Sequence, residues 1–418
     1  MAGAPTITST RIDGPAPSGP PDSYDVLILD AGSRQSLAAA RSLGRAGLRV
    51  ALGECFAECD PDLPALAFRS RYSARNVVLP SFKAGAATFS GAVVDFVRQH
   101  PTRVVLPTAD GAIAALLPRR AELAALGCTL ALAPDPVLEI ANNKDQTLKI
   151  ALELGIAYPK TLQIDTPDQL PAALAELGFP VVLKPNRSWG TVVRLASEEA
   201  INEAEAERVA QHFFDGNTSV LAQQWVGGRR EGVTMFITDG NVRAVCAHVA
   251  HRTSPAIGGA SVMRESLPVP ADIYDSAVRL VKAIGLEGTC EVEFRRDLDN
   301  RPFLMEINAR LAGTIENAAR SGVDFPLMLW RWAAGLPVEA VDGYKTGVRT
   351  RWLRGDLRWL RDNHGRAGRP DSVSRSRALR TFAMEFARTA HYDTLDLRDL
   401  KPAWAELRNT TAAIRRSL

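Results

Sequence analysis

Glu306, Asn308 and Arg310 occupy alternate positions of an apolar, strand-like run, FLMEINAR, residues 303–310. Strand alternation puts the three side chains on one face. Just upstream, EVEFRRDLDNRPFLMEIN (291–308) sets two apolar-alternating runs around Asp297-Leu298-Asp299-Asn300, a β-hairpin signal. A turn centred between Asp299 and Asn300 places Glu293 opposite Glu306 and Glu291 opposite Asn308. Like charges facing each other on a sheet are unfavourable by roughly 0.2–1 kcal/mol when exposed, and by more when buried. A divalent cation removes the conflict. Two carboxylates and an amide carbonyl are hard oxygen ligands, suited to magnesium, which completes its shell with water and nucleotide phosphates. Glu293, Glu306 and Asn308 are the expected ligands, with Glu291 replacing Glu293 if the register slips. Arg310, at the strand end, is placed to stabilise charge on a transferring phosphoryl group.

The order of these features resembles the ATP-grasp superfamily, over most of residues 24–343. Its signature is similar to Glu306-Asn308-Arg310 preceded by Val292-Glu293-Phe294. Within the resemblance, Lys144 (in NNKDQT) and Lys184 (in VVLKP) are expected to reach nucleotide phosphates. A lysine closing an apolar strand calls independently for an anionic partner. The loop Asn186–Gly190 lies where the family has a glycine-rich flap. It has one glycine and a bulky Trp189, and Ser188 is its expected phosphate contact. Gln224, Trp225 and Val226 resemble the hinge that meets adenine, and Glu231 would accept hydrogen bonds from ribose or adenine. Arg252, in the loop His251–Gly259, resembles a substrate- and phosphate-facing residue and joins Arg310 as a catalytic candidate.

The resemblance implies an ATP-dependent carboxylate–amine ligase. ATP would phosphorylate a small carboxylate to an acyl phosphate, and an amine would displace phosphate to leave an amide or peptide bond. It implies ATP and Mg2+ as cofactors, a pair of ions for which Mn2+ can substitute. Amino acids are candidate partners, and a homodimer and a cytoplasmic location fit. The alternatives are a kinase-like member that releases a phosphorylated product, or a catalytically silent nucleotide-binding regulator.

The fold expected to position these residues is α/β and α+β. Residues 1–22, rich in Pro, Gly, Ser and Thr, read as a disordered tail rather than a signal peptide. Residues 23–135 alternate short apolar strands with helices, a doubly wound preATP-grasp domain. Only Gly32 stands where a dinucleotide site needs three glycines, so a small-substrate pocket with Asp110 as a contributor is favoured over NAD. A tight strand-to-helix turn at Ala31–Ser33 explains that glycine equally well. Residues 136–343 would form the two-subdomain ATP-grasp fold, with a small lid at about 175–235. Residues 344–418 form a basic C-terminal extension, whose first part (345–380) carries eleven Lys/Arg against three Asp/Glu.

The 418 residues exceed one ordinary core, and 46% hydrophobic with 23% charged content describes a globular chain. A net charge of +3 does not argue for nucleic acid. No apolar run nears the roughly 18 residues that span a bilayer. Five scattered cysteines suit a reducing compartment. No histidine is assigned an acid–base role.

Overall fold

A computed structural model describes residues 22–55, 65–81, 85–186, 197–215, 219–255, 258–364, 366, 368–389 and 391–417, side chains 411–417 excepted. Three sheets organise it. The first is wholly parallel: β1 (Tyr24–Ile28), β2 (Val50–Cys55), β3 (Ser73–Leu79), β4 (Thr102–Leu106) and β5 (Thr129–Leu130), in the order β3-β2-β1-β4-β5. Its crossovers include α1 (Arg34–Arg45), α2 (Ala86–Gln99), α3 (Asp110–Leu116) and α4 (Arg120–Ala125). Near-continuous burial along β1, β2 and β4 explains their unbroken apolar sequence. The order reverses between β1 and β4, which leaves a crevice beyond their carboxyl ends. The Ala31–Ser33 turn enters α1, where Ser33 caps the helix by accepting from the Ser36 amide. Asp30, at φ +58°, accepts from the amides of Thr108 and Ala109, both at 2.8 Å, and so ties the two crevice loops together.

After α5 (Asp135–Asn142) and α6 (Lys144–Glu153), the chain forms a small antiparallel sheet. Its members are β6 (Thr161–Ile164), β7 (Val181–Pro185), β8 (Glu198–Ala200) and β9 (Val220–Gln224), in the order β6-β9-β7-β8. Helices α7 (Leu170–Leu177) and α8 (Glu203–Asp215) close a core of their own with it.

Trp225–Gly228 then leads directly into the central sheet. Gly228 sits at φ +90°, and a Cβ there would meet the Arg296 carbonyl oxygen at 2.2 Å, so only glycine serves. The sheet contains β10 (Arg229–Thr238), β11 (Asn241–Ser254), β12 (Ala260–Leu267), β13 (Gly288–Arg296) and β14 (Pro302–Asn308). It also contains β15 (Arg349–Arg351) and β16 (His391–Tyr392), in the order β14-β13-β10-β11-β12-β15-β16. One face packs α9 (Ala271–Ala283) against Val233, Met235, Val292 and Phe294. On the other, Phe236, Ala244 and Cys246 meet α10 (Ile315–Ser321) and α11 (Phe325–Ala333). The basic C-terminal stretch is thus partly inside the fold. Its strands extend the central sheet, α12 (Leu353–His364) packs on β11 and β12, and α13 (Arg375–Arg388) and α14 (Lys401–Ser417) follow. Many of its arginines meet internal acids. Arg349 pairs with Glu265, Arg351 with Asp356, Arg366 with Glu199 and Arg369 with Glu205.

Among the described residues, no helix is long and apolar enough to cross a membrane. Cys55, Cys128, Cys246 and Cys290 are buried free thiols.

Candidate active site

The β13–β14 hairpin pairs Glu293 with Glu306 and Glu291 with Asn308. Its turn differs from the simple expectation. Asp297 N–H donates to the Arg301 carbonyl and Asn300 N–H to that of Asp297, with Asn300 at φ +65°. This is a three-residue loop closed by a left-handed residue. From that turn alone, Glu293 would face Met305. A bulge at Met305 shifts the register by one residue and brings Glu306 opposite Glu293.

Direct pairing puts Glu293, Glu306, Glu291 and Asn308 on one face, together with Arg230 and Thr234 of β10. Glu291 is buried in the sheet: it accepts from the Thr234 hydroxyl at 3.1 Å and from that of Thr314. Glu293 accepts from Arg230 Nε at 2.7 Å and Nη2 on one oxygen, and from Asn308 Nδ2 at 3.0 Å on the other. Burial pushes the Glu293 carboxyl above its ordinary range, against the pull of Arg230. Burial acts the same way on Glu306, but the joint field of Lys144, Arg230, Lys184 and Arg310 outweighs it and holds that carboxyl low.

The small sheet and α6 supply the opposing cations. Lys184, at the end of β7, is buried and donates to Gln223 Oε1 at 2.6 Å. Burial lowers its ammonium to about 8, a fall that Glu306 opposes and Lys144, Arg230 and Arg295 reinforce. Lys144 opens α6 behind the Asn143 cap. Arg310 reaches across to the parallel sheet, where Nε and Nη2 donate to the two oxygens of Asp110 at 2.5 and 3.1 Å. Asp110 is the first residue of α3, at the carboxyl edge of β4. The crevice of the first sheet therefore opens onto the acidic face of the central one.

Two expected site residues lie elsewhere. Glu231 pairs with Phe294, so it points to the α9 face, away from Glu293. There it is buried between Arg229 Nε at 2.5 Å and Arg296 Nε at 3.1 Å, and Arg296 goes on to Asp272 of α9. It anchors a helix instead of meeting ribose. Arg252 is not on a loop, because β11 runs through Ser254. Its guanidinium lies 4.3 Å over Trp359 and donates to both oxygens of Asp356, at 2.9 and 2.8 Å. It is buried under α12, with Nη1 bound to that helix's carboxylate. Ser188 falls outside the described residues. Gln224 ends β9, and Trp225 and Val226 lie in the connector between the sheets, with Arg295 stacked 4.6 Å from the Trp225 ring.

Arg230 and Arg295 escaped the sequence reading. The signal was present: counting in twos from Glu293 along β13 and across to β10 puts both on the acidic face.

The residues present fit a hard divalent cation only in part. Glu293, Glu306 and Asn308 offer oxygen donors on one face. Among the described residues, no group of three or more His, Cys, Asp and Glu side chains is arranged to hold a metal alone. Ligand oxygens from a polyphosphate would have to complete the shell.

Known proteins share parts of this sequence and the fold as a whole. Residues 233–355 match the family described as ATP-grasp in the biosynthetic pathway with Ter operon. D-alanine–D-alanine ligase of Bordetella petrii is 28% identical over 187 residues, covering 40% of this chain and 54% of that enzyme. The Gloeobacter violaceus D-alanine–D-alanine ligase is 28% identical over 213 residues, covering 46% and 68%. The fold as a whole superposes on the L-amino acid ligase of Bacillus licheniformis with a TM-score of 0.57, at 19% identity, over 76% of this chain and 75% of that one. The chain has the ATP-grasp fold, and its residues 233–355 match an ATP-grasp family. Biotin carboxylase of Campylobacter jejuni, crystallised as a β,γ-ATP complex, shares this architecture at a TM-score of 0.61 and 16% identity, over 78% and 74%. These likenesses fix the fold. The sequence alignments span little more than half to two thirds of the D-alanine–D-alanine ligases they match.

Proposed function

We propose that this ATP-grasp protein is an ATP-dependent ligase that activates a small carboxylate, such as an amino acid, as an acyl phosphate and joins it to an amine. One observation carries the reading. Cations from three separate elements, Lys144, Lys184 and Arg230, converge on the Glu293–Glu306 pair, with Arg310 held at the mouth of a second crevice. That arrangement suits a polyphosphate bound between the small and central sheets and an organic substrate beside it. The relatives named as ligases of D-alanine or L-amino acids support the choice of reaction.

Magnesium or manganese would be held by Glu293, Glu306 and Asn308 together with phosphate oxygens, and when bound it would neutralise charge on the β- and γ-phosphates. The chain's own residues do the rest. Lys144 and Lys184 balance phosphate oxygens, and the hinge backbone at Gln224–Val226 would face the base. Arg310 would orient the carboxylate and then stabilise charge on the acyl phosphate and on the tetrahedral state formed by amine attack. Asp110 fixes the Arg310 fork and places an anion where an incoming ammonium group arrives. The carboxylate oxygen takes the γ-phosphoryl group as ADP departs. The amine then bonds to the acyl carbon, the C–O bond to phosphate breaks, and a proton is released. Catalysis is positioning and electrostatics throughout, with no protein nucleophile.

A panel of amino acids and small amines, assayed for ADP, phosphate and amide product, tests the reading. Stoichiometric ADP, phosphate and amide are expected. ADP with a phosphorylated product and no amide assigns the kinase-like chemistry instead, and tight nucleotide binding without turnover on any pair assigns a regulator.

Lys184 gives a pH signature. With its ammonium at about 8, it is charged at lower pH and loses its charge above that value. ADP affinity measured by calorimetry is therefore expected to hold up to about pH 8 and fall at higher pH. Lys184→Arg, charged throughout the range, is expected to flatten the curve. A flat wild-type profile would remove Lys184 from the phosphate site.

A further inference from the structure

Both oxygens of Glu293 are already occupied by protein donors. Arg230 takes one through Nε and Nη2, and Asn308 takes the other through its amide N–H. A metal that takes the Arg230-bound oxygen of Glu293 must therefore displace Arg230, and one that takes the other oxygen must displace the Asn308 amide and sit beside the guanidinium. The third nitrogen, Nη1, donates to the Gly259 carbonyl at 2.6 Å, so the guanidinium is pinned from behind with its Nε–Nη2 edge turned to the acidic face.

The register adds a second constraint. Arg230 lies directly opposite Arg295, and facing like charges on a sheet need anions of their own. Arg295 has Asp371. Arg230 has Glu293. Glu306 is already shared among Lys144, Arg230, Lys184 and Arg310. If a cation takes Glu293 alone, Arg230 is left beside Arg295 with only a share of Glu306, and the pocket gains two charges. If a polyphosphate arrives with the cation, its oxygens meet the exposed Nε–Nη2 edge, and Arg230 exchanges one anion for another without leaving Gly259.

We propose that Arg230 is a resident counter-ion that closes Glu293 to metal until a polyphosphate is present, making metal loading conditional on nucleotide. The proposal rests on the metal–nucleotide reading of this face given above. Arg230 is a positioning residue in this scheme, and its effect is read in binding rather than turnover.

Mn2+ binding followed by electron paramagnetic resonance tests it in the full chain, with and without ADP. Wild type is expected to bind Mn2+ with ADP and at least about tenfold more weakly without it, beyond what free ADP holds. Arg230→Met is expected to raise nucleotide-free Mn2+ affinity roughly tenfold, the scale of a lost charge-assisted pair, and to weaken metal-free ADP binding. Arg230→Lys, which keeps the charge without the fork, is expected to fall between. Nucleotide-free Mn2+ affinity within twofold of wild type in Arg230→Met overturns the proposal. Circular dichroism guards against a folding defect, and Arg230→Gln serves if the methionine variant fails to fold. The underlying reading fails separately, if wild type with ADP binds no more Mn2+ than ADP alone or if Glu293→Gln leaves that binding intact.

Discussion

Replacing Glu306 with glutamine is expected to lower ligation on the order of 10³-fold, read as ADP formation at saturating substrates. Glutamine keeps the volume and one oxygen, so the hairpin, its bulge and its pairing with Glu293 persist. What is lost is the carboxylate charge that Lys144, Arg230, Lys184 and Arg310 hold ionised against burial. The same change leaves those cations less neutralised, so metal-free ADP binding is expected to be kept or strengthened. Loss of turnover with retained ADP binding separates a damaged reaction centre from a damaged fold. Full turnover in Glu306→Gln would sink the site assignment.

Asp393→Asn is expected to lower stability by about 3–5 kcal/mol, the scale for breaking a buried ion pair from one side. Asp393 lies on the segment HYDTLDLRD, residues 391–399. It joins Arg34 of α1 to Arg264 Nη2 of β12, the latter at 2.5 Å, and all three groups are buried. Without the carboxylate, two guanidinium groups remain desolvated between the first and central sheets. Neighbouring acids reinforce the clamp. Asp399 accepts from Arg41 Nε at 3.0 Å and from the Arg71 amide at 2.8 Å, and Asp396 takes Arg320 at 3.1 Å.

Burial alone would raise the Asp393 carboxyl, but Arg264 and Arg34 override it and hold it low. A depressed carboxylate contributes fully above its unfolded value, and the contribution is lost as pH falls through the folded one. The difference between wild type and Asp393→Asn should accordingly shrink in acid. Urea unfolding at pH 7 and in mild acid measures it, with Asp95→Asn as the comparison. The Asp95–Arg98 pair is equally short, at 2.6 Å, but exposed, and its loss is expected to change stability by less than about 1 kcal/mol. Equal effects from the two variants would refute the clamp.

The sequence by itself determined the chemistry-bearing hairpin. Period-two alternation and turn residues are local signals: they mark the hairpin, put Glu306 and Asn308 on one face of their strand, and put Glu291 and Glu293 on one face of theirs, before any tertiary contact is known. The apolar strand ending in Lys184 demanded an anion on the same local grounds. The resemblance to the ATP-grasp superfamily was carried by Val292-Glu293-Phe294 and Glu306-Asn308-Arg310.

Tertiary structure decided three other matters. The facing of Glu293 and Glu306 depends on a bulge at Met305, which no turn rule supplies. Glu231 and Arg252 carried the right residue types but the wrong surroundings. A one-residue difference in strand parity sends Glu231 to the α9 face, and α12, arriving from a hundred residues downstream in sequence, buries Arg252 against Asp356. The C-terminal stretch read as a basic extension, because charge counts cannot see partners far away along the chain. Folded, its arginines meet acids of the small and central sheets, and its aspartates fasten the first sheet to the central one. Local alternation fixes which way a side chain points relative to its own strand. Only packing of distant segments fixes what it meets there, and that partner decides whether a charge does chemistry or holds the fold.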